Sequence, residues 1–494
     1  MHSHWLLCAL VLAGAVLRVA ALIADRPVVM VFGDSYSYLY NAAHLGPEPF
    51  HPLAYPLFLR ALWWTADLRS VVVVQHLLAV LLGIAIYATL RHLAVRRWLA
   101  ALSVAPLLLD AYQVFVEQNI LSETVFEALV TGSLLVLVRW RAARSGLLVG
   151  AVAGLLAGAA VLTRGVGVAV IPAAVLVPLL FRRGWRQPVA TLLTAVLVVG
   201  AYAAWNYGVN GQFTVDQYSG RWLYGRVETI ANCERLHGIP PDERVLCDPA
   251  YGADPKATEA VNDGYGFYVW DAQSPFYRLR PEAHRTPDQI AQDYALRVIA
   301  EQPLRYLGSV VVDTATYFAP TPEAVVAGQA PLATDNFQPL TNPGQNHVLI
   351  GTQSFADQTA ITQLPGPQEA SWPVSWLNRY QQGGYTPGPL LALCLVLVVV
   401  AAALGARDRA GRDQREGALL FGLTGFLLIL IPAAVVGNEY RYLLPALPVI
   451  PPAGAMAIHS LIRRWRPSER APGESTTRAA DRRIRRLAPK RLPR

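Results

Sequence analysis

The sequence predicts an all-α polytopic membrane protein with about ten transmembrane helices and a mixed extracytoplasmic domain. Three observations lead there. Apolar residues make up 53% of the chain and charged residues 15%, more apolar sequence than the core of a soluble domain requires. Several apolar runs approach the roughly 20 residues that cross about 30 Å of hydrocarbon. Arginines collect in every second loop between those runs, as alternating crossings demand.

The first run, Trp5–Ala24, lacks a basic flank and contains Arg18, which fits an uncleaved span better than a signal peptide. Further runs lie at 71–90, 98–115, 124–138, 147–163, 166–181 and 188–206, and after a long gap at 388–405, 417–436 and 442–462. Arg91, Arg96 and Arg97 follow the second run; Arg139, Arg141 and Arg144 follow the fourth. Arg182, Arg183 and Arg186 follow the sixth, and Arg407, Arg409, Arg412 and Arg415 the eighth. The intervening loops carry acids: Asp110, Glu117 and Glu123 in one, Glu439 beside Arg441 in another. Both termini are therefore expected in the cytoplasm and the loop after the first run outside.

The expected organisation is an N-terminal membrane module over 1–206, including a first external loop at 25–70, then an extracytoplasmic domain over 207–387. A C-terminal membrane module over 388–462 and a basic cytoplasmic tail over 463–494 follow. Within the external segment a helix is expected from Asp288 to about Glu301, ended by Pro303. The stretch from Arg305 to Phe318 is amphipathic and interrupted by Asp313, so it is expected to lie along the membrane surface.

The net charge of +8 resides in the tail, where twelve basic residues face Glu469, Glu474 and Asp481. Such a tail meets anionic headgroups or is simply solvated, and it does not imply nucleic-acid binding. Lysine occurs only at Lys256 and Lys490, a bias toward arginine that suggests a GC-rich bacterial genome. The four cysteines have no metal-ligand spacing. Cys8 and Cys394 fall in apolar runs; Cys233 and Cys247 fall in the polar segment and can bridge if that segment is outside.

The candidate chemistry is organised around Gly33-Asp34-Ser35-Tyr36. Helical spacing of Tyr36, Leu39, Tyr40 and Ala43 predicts a helix starting there, so Asp34 is either an N-cap or a functional carboxylate at the outer mouth of the bundle. His51-Pro52-Leu53-Ala54-Tyr55-Pro56 is a Pro-braced loop whose His51 is a structural residue or a donor to a phosphate or sugar. Glu117 and Glu123 lie on the same expected side; Ser122 with Glu123 can instead simply start a helix. Arg164 and Arg441 are placed either to grip a phosphate or to reach headgroups. Arg18, costly if unpaired inside a span, either pairs with a bundle carboxylate or reaches the phosphate from below.

Taken together, Arg18, the Asp34 and His51–Pro56 stretches, Leu121-Ser122-Glu123, Leu162-Thr163-Arg164 and Glu439-Tyr440-Arg441-Tyr442 resemble the GT-C glycosyltransferases that use polyprenyl-phosphate sugars. The similarity is to the bacterial branch related to protein O-mannosyltransferases and lipid A aminoarabinose transferases. It covers most of the membrane part and none of the external segment. The resemblance implies that Asp34 is the catalytic acid or base. It further implies that Arg18, His51, Tyr55, Glu117, Glu123, Arg164, Glu439 and Arg441 bind substrate. Many members carry two adjacent acids at this site, whereas Asp34 stands between Gly33 and Ser35. A lone carboxylate makes a poor divalent site, so no metal and no cofactor is expected. The implied partners are a polyprenyl-phosphate sugar donor, a glycan, glycolipid or protein acceptor, and membrane lipid.

Two other classes make different demands. A flippase or secondary transporter for lipid-linked sugars places ionisable residues near the bilayer midplane and builds on matched halves; the acids here gather near the outer boundary and the two membrane parts are unequal. A non-catalytic assembly partner predicts that Asp34 tolerates replacement.

Overall fold

A computed structural model of the protein describes residues 4–24, 34–65, 68–140, 145–182, 184–247, 264–280, 285–322 and 372–465. Gly33, Arg141, Arg144, Arg183, Lys256 and the tail from Arg466 on, together with much of 207–387, lie outside the described residues, as does the side chain of Tyr36.

The described residues form helices and connecting turns, with no strand among them. The N-terminal part comprises α1 (Trp5–Ala24), α2 (Asp34–His44), α3 (Ala54–Ala61), α4 (Leu68–His92), α5 (Arg97–Leu102), α6 (Ala105–Leu109) and α7 (Ala111–Gln118). It continues with α8 (Glu123–Arg139), α9 (Gly146–Val161), α10 (Val170–Leu180) and α11 (Arg186–Asn210). A polar group follows: α12 (Ser219–Glu228), α13 (Gly264–Trp270), α14 (Pro287–Glu301), α15 (Pro303–Thr316) and α16 (Val374–Gln381). The last part is α17 (Gly388–Leu404), α18 (Arg409–Val435), a 3-10 turn at Tyr440–Ala446 and α19 (Ile450–Trp465).

Every apolar run of the sequence is helical, but they differ in reach. Among the described residues, four helices are able by length and composition to cross a membrane, α1, α4, α11 and α18, and six if two bent pairs each count as one span. The expected continuous span at 98–115 is one of those pairs, bent by 50° between α6 and α7. The cause is Asp110, whose carboxylate accepts from the Tyr112 and Gln113 amides, restarting the helix, and from the Thr386 amide at 2.7 Å. Glu117, expected in an external loop, is consequently fully buried in the bundle.

Close backbone approach holds α9 to α11. Gly150 and Gly154 face the Gln187 and Thr191 carbonyls so tightly that a Cβ on either would sit 2.3 Å from the oxygen. Small residues four apart let helices pack through backbone contact where lipid supplies no hydrophobic drive.

The polar helices have their own core around Tyr224, Ile290, Tyr294 and Val298. The expected helix at 288–301 is present, starting with Pro287 behind a Thr286–Gln289 capping box. The amphipathic stretch that follows is helical in α15, with Leu304, Leu307, Val311 and Val312 exposed along one side. Cys233 and Cys247 are disulfide-bonded, with their Cα atoms 5.7 Å apart.

Two straps position the loop between α2 and α3. Asn210 Nδ2 at the end of α11 donates to the Pro47 carbonyl at 3.1 Å, and the Gln217 amide donates to that of Pro49 at 2.9 Å. Ala54 N, at the start of α3, donates to the Leu162 carbonyl at the end of α9 at 2.9 Å.

Candidate active site

Asp34 is the first residue of α2, and its side chain is 20% exposed. Arg441, 407 positions later in the 3-10 turn before α19, donates from Nη1 to Asp34 Oδ2 at 2.9 Å. The same Nη1 lies 3.9 Å from Glu123 Oε1 at the start of α8, and Arg441 Nε lies 2.8 Å from Glu439 Oε1. Arg164, beyond the end of α9, pairs with Glu123. Two guanidinium groups and three carboxylates from four separate stretches thus meet in one place. The Tyr442 ring lies beneath both arginines, 5.7 Å from each.

Arg441 is held there by α15. Tyr317, just after that helix, donates its hydroxyl to the Gly437 carbonyl at 3.2 Å and accepts from the Glu439 amide at 3.1 Å. Asn438 Nδ2 donates to Thr316 Oγ1 at 2.7 Å, and Arg226 of α12 pairs with Asp313 at 2.6 Å.

His51 reaches Asp34 from the other side, its Nε2 3.5 Å from Oδ1. Its Nδ1 is 2.9 Å from the Ser37 hydroxyl, which donates to Glu48 at 2.6 Å. The Tyr38 ring packs against the imidazole with centroids 4.4 Å apart. Burial by itself raises the Asp34 pKa, but Arg441, the His51 hydrogen bond and more distant Arg164 outweigh it and hold the carboxyl well below its usual range.

Of the residues expected to bind substrate, His51, Glu123, Arg164, Glu439 and Arg441 therefore gather around Asp34. Arg18, Glu117 and Tyr55 do not. The Arg18 guanidinium, 3% exposed, gives two bonds to Glu117 at 2.7 and 2.8 Å and three to the Gly14, Leu107 and Leu108 carbonyls, which occupies its donors. Glu117 also accepts from Gln113 at 3.2 Å and lies 2.8 Å from His76 Nδ1. Tyr55 is buried, its hydroxyl donating to Gln75 at 2.8 Å. These three brace the bundle behind the site. Ser122 does not cap α8; its hydroxyl instead meets the Tyr38 hydroxyl at 2.9 Å and tethers α2 to the start of α8.

Sequence reading missed Ser37 and Glu48, the brace behind His51, and Glu127, which accepts from Gln113 at 2.8 Å inside the bundle. Glu127 stands four residues after Glu123 and so on the same helix face, a signal present in the sequence. Ser37 and Glu48 have no such spacing. Among the described residues no three His, Cys, Asp or Glu side chains are grouped to hold a metal ion.

No protein-family model and no curated protein matches this chain. Among solved structures the chain is similar to the archaeal oligosaccharyltransferase AglB from Archaeoglobus fulgidus, in complex with an inhibitory peptide and a dolichol-phosphate. That match has 12% identity and a TM-score of 0.41 over 99% of this chain, which spans 53% of the length of AglB. It is also similar to ArnT from Cupriavidus metallidurans in the apo state, at 14% identity and a TM-score of 0.34, over 89% of this chain and 77% of ArnT.

Proposed function

We propose that this protein is an integral membrane glycosyltransferase of the plasma membrane, moving a sugar from a polyprenyl-phosphate donor to an acceptor outside the cell. The acceptor is a glycan, glycolipid or protein of the bacterial envelope, and both termini of the chain are cytoplasmic. The observation that carries this reading is the partly exposed Asp34 carboxylate held against Arg441, with Glu123 and Arg164 alongside. A base and a pair of guanidinium groups suited to a phosphate share one site.

The reaction is a single displacement with inversion. The acceptor hydroxyl gives its proton to Asp34 while its oxygen bonds to the anomeric carbon. The bond from that carbon to the phosphate oxygen breaks, and its electron pair leaves with the carrier phosphate, which Arg441 and Arg164 stabilise. Since the leaving group is an ionised phosphate, no strong general acid is required. Glu123 Oε2, buried and without a hydrogen-bond partner among the described residues, accepts from a sugar hydroxyl. His51, backed by Ser37 and Glu48, orients Asp34.

In this reading Arg441 also restrains the enzyme at rest. A carboxylate paired with arginine is a weak base, so the donor phosphate must draw Arg441 away before Asp34 can take a proton. Transfer from synthetic short-chain polyprenyl-phosphate sugars by the purified protein tests the reading; donor turnover that depends on Asp34 is the expected result.

A further inference from the structure

An aromatic cluster joins the polar helices to the loop that carries His51. Phe50 stacks on Tyr218 with centroids 4.2 Å apart and on Trp270 at 5.5 Å with planes 10° apart. Trp222 packs edge-on against Trp270 at 5.0 Å. The Arg221 guanidinium lies 5.2 Å from the Trp270 ring and 4.9 Å from the Tyr277 ring. Arg221 is itself buried and fixed, donating from Nε to the Val269 carbonyl at 2.7 Å and from Nη2 to the Tyr277 hydroxyl. Behind this support Trp270 and Tyr277 stay 50% and 47% exposed. Rings left half in water yet held in place are well suited to a ligand, since little side-chain freedom is lost on binding.

We infer that Trp270 and Tyr277 form a carbohydrate platform that holds the acceptor glycan for transfer at Asp34. The inference deepens the glycosyltransferase reading and rests on it for the word acceptor, though not for the binding itself. The electron-rich face of an aromatic ring attracts the weakly positive C–H face of a sugar ring, while the sugar hydroxyls need polar groups at the rim. Asp271 and Gln273, one and three residues after Trp270, supply that rim, with the Gln273 backbone N–H donating to the Asp271 carboxylate at 2.7 Å. A carboxylate beside the exposed indole also disfavours anchoring in anionic headgroups. The route to the reaction centre is short: Phe50 touches Trp270, the His51 ring centroid is 5.9 Å from that of Phe50, and His51 is 3.5 Å from Asp34.

The test is binding of neutral hexasaccharides of glucose, mannose and arabinose to the full-length protein in nanodiscs without donor, by saturation-transfer NMR. Wild type, Trp270→Ala, Trp270→Phe and Tyr277→Ala are compared after their monodispersity is checked. At least one hexasaccharide should bind the wild type, and Trp270→Ala should weaken it by about tenfold, the scale of one lost stacking ring. Trp270→Phe should retain most of the affinity. Absence of binding by every hexasaccharide, or equal binding by wild type and Trp270→Ala, overturns the platform. So does brominated-lipid quenching of the wild type that is reduced in Trp270→Phe, which would make Trp270 a bilayer anchor. Consumption of the sugar donor, measured in parallel, separates the two readings. Glycan binding through Trp270 without donor turnover defeats the enzyme assignment and leaves the site; donor turnover without glycan binding does the reverse.

Discussion

Arg441 Nη1 stands 2.9 Å from Asp34 Oδ2 and 3.9 Å from Glu123 Oε1, so a single guanidinium ties the start of α2 to the start of α8. The same geometry that assembles the site also holds the Asp34 carboxyl in a weakly basic state. In the proposed transferase, donor binding and base activation are coupled through that one side chain.

The coupling predicts an ordered reaction, donor first. Polyprenyl phosphate should inhibit competitively against the donor and not against the acceptor. Arg441→Ala should lower kcat/KM by about 10²- to 10³-fold, the range for removing one donor that stabilises developing charge. Its acid limb should move as well. In the wild type Asp34 stays ionised far into acid because its pKa is lowered, so kcat/KM, which reports the free enzyme, should hold as pH falls through the ordinary carboxylate range. Without Arg441 the limb should appear at higher pH. A limb that does not move would place the pH dependence elsewhere.

In the proposed reaction His51 acts through Asp34, 3.5 Å away, with Ser37 and Glu48 behind it. His51→Ala should lower kcat by about 100-fold, the lower end of the range for a general acid–base contribution, with little change in donor KM. A rise in donor KM at constant kcat would make His51 a substrate-binding residue instead.

Arg18 and Glu117 should behave as architecture. Breaking a buried ion pair from one side costs about 3–5 kcal/mol, so Arg18→Met should lower the melting temperature sharply in detergent. Changing both to Met should cost less than the two single changes together, by leaving no unpaired charge. Donor KM should be unchanged in whatever folded protein remains. An altered KM would return Arg18 to the substrate site.

The polar helices carry a pH dependence of their own. Burial pushes the Glu228 carboxyl up to about 8, against the hydrogen bond that Tyr294 donates to it at 2.7 Å. A carboxyl whose folded pKa is raised contributes stability fully below its unfolded value of 4.5 and loses it as pH climbs through about 8. Thermal stability should therefore decline between those limits in the wild type and decline less in Glu228→Gln. Identical slopes would exclude Glu228 as the source.

The apolar runs were legible because hydropathy reports burial or lipid contact directly, and each of them is helical. The helix at Asp34 was legible from its spacing. What one-dimensional spacing could not convey was partnership across the bundle. Glu117 and Glu123 look alike in sequence, six residues apart, yet one is sealed against Arg18 and His76 while the other meets Arg164 and Arg441. The difference arises from the bend at Asp110, which depends on an amide at Thr386 far along the chain. Trp270 and Phe50 were invisible for the same reason, since a ring stack across 220 positions leaves no local pattern.

Whether Asp34 serves a transferase is decided by sugar transfer from a panel of short-chain polyprenyl-phosphate sugars, with a crude envelope acceptor, by purified wild type and Asp34→Asn. Wild type should release polyprenyl phosphate from at least one donor. A monodisperse Asp34→Asn should lose that release by at least about 10²-fold. Equal turnover by the two proteins would contradict a catalytic Asp34; no release by the wild type from any donor would contradict the transferase itself, and transport of lipid-linked sugar in proteoliposomes would then be the activity to measure.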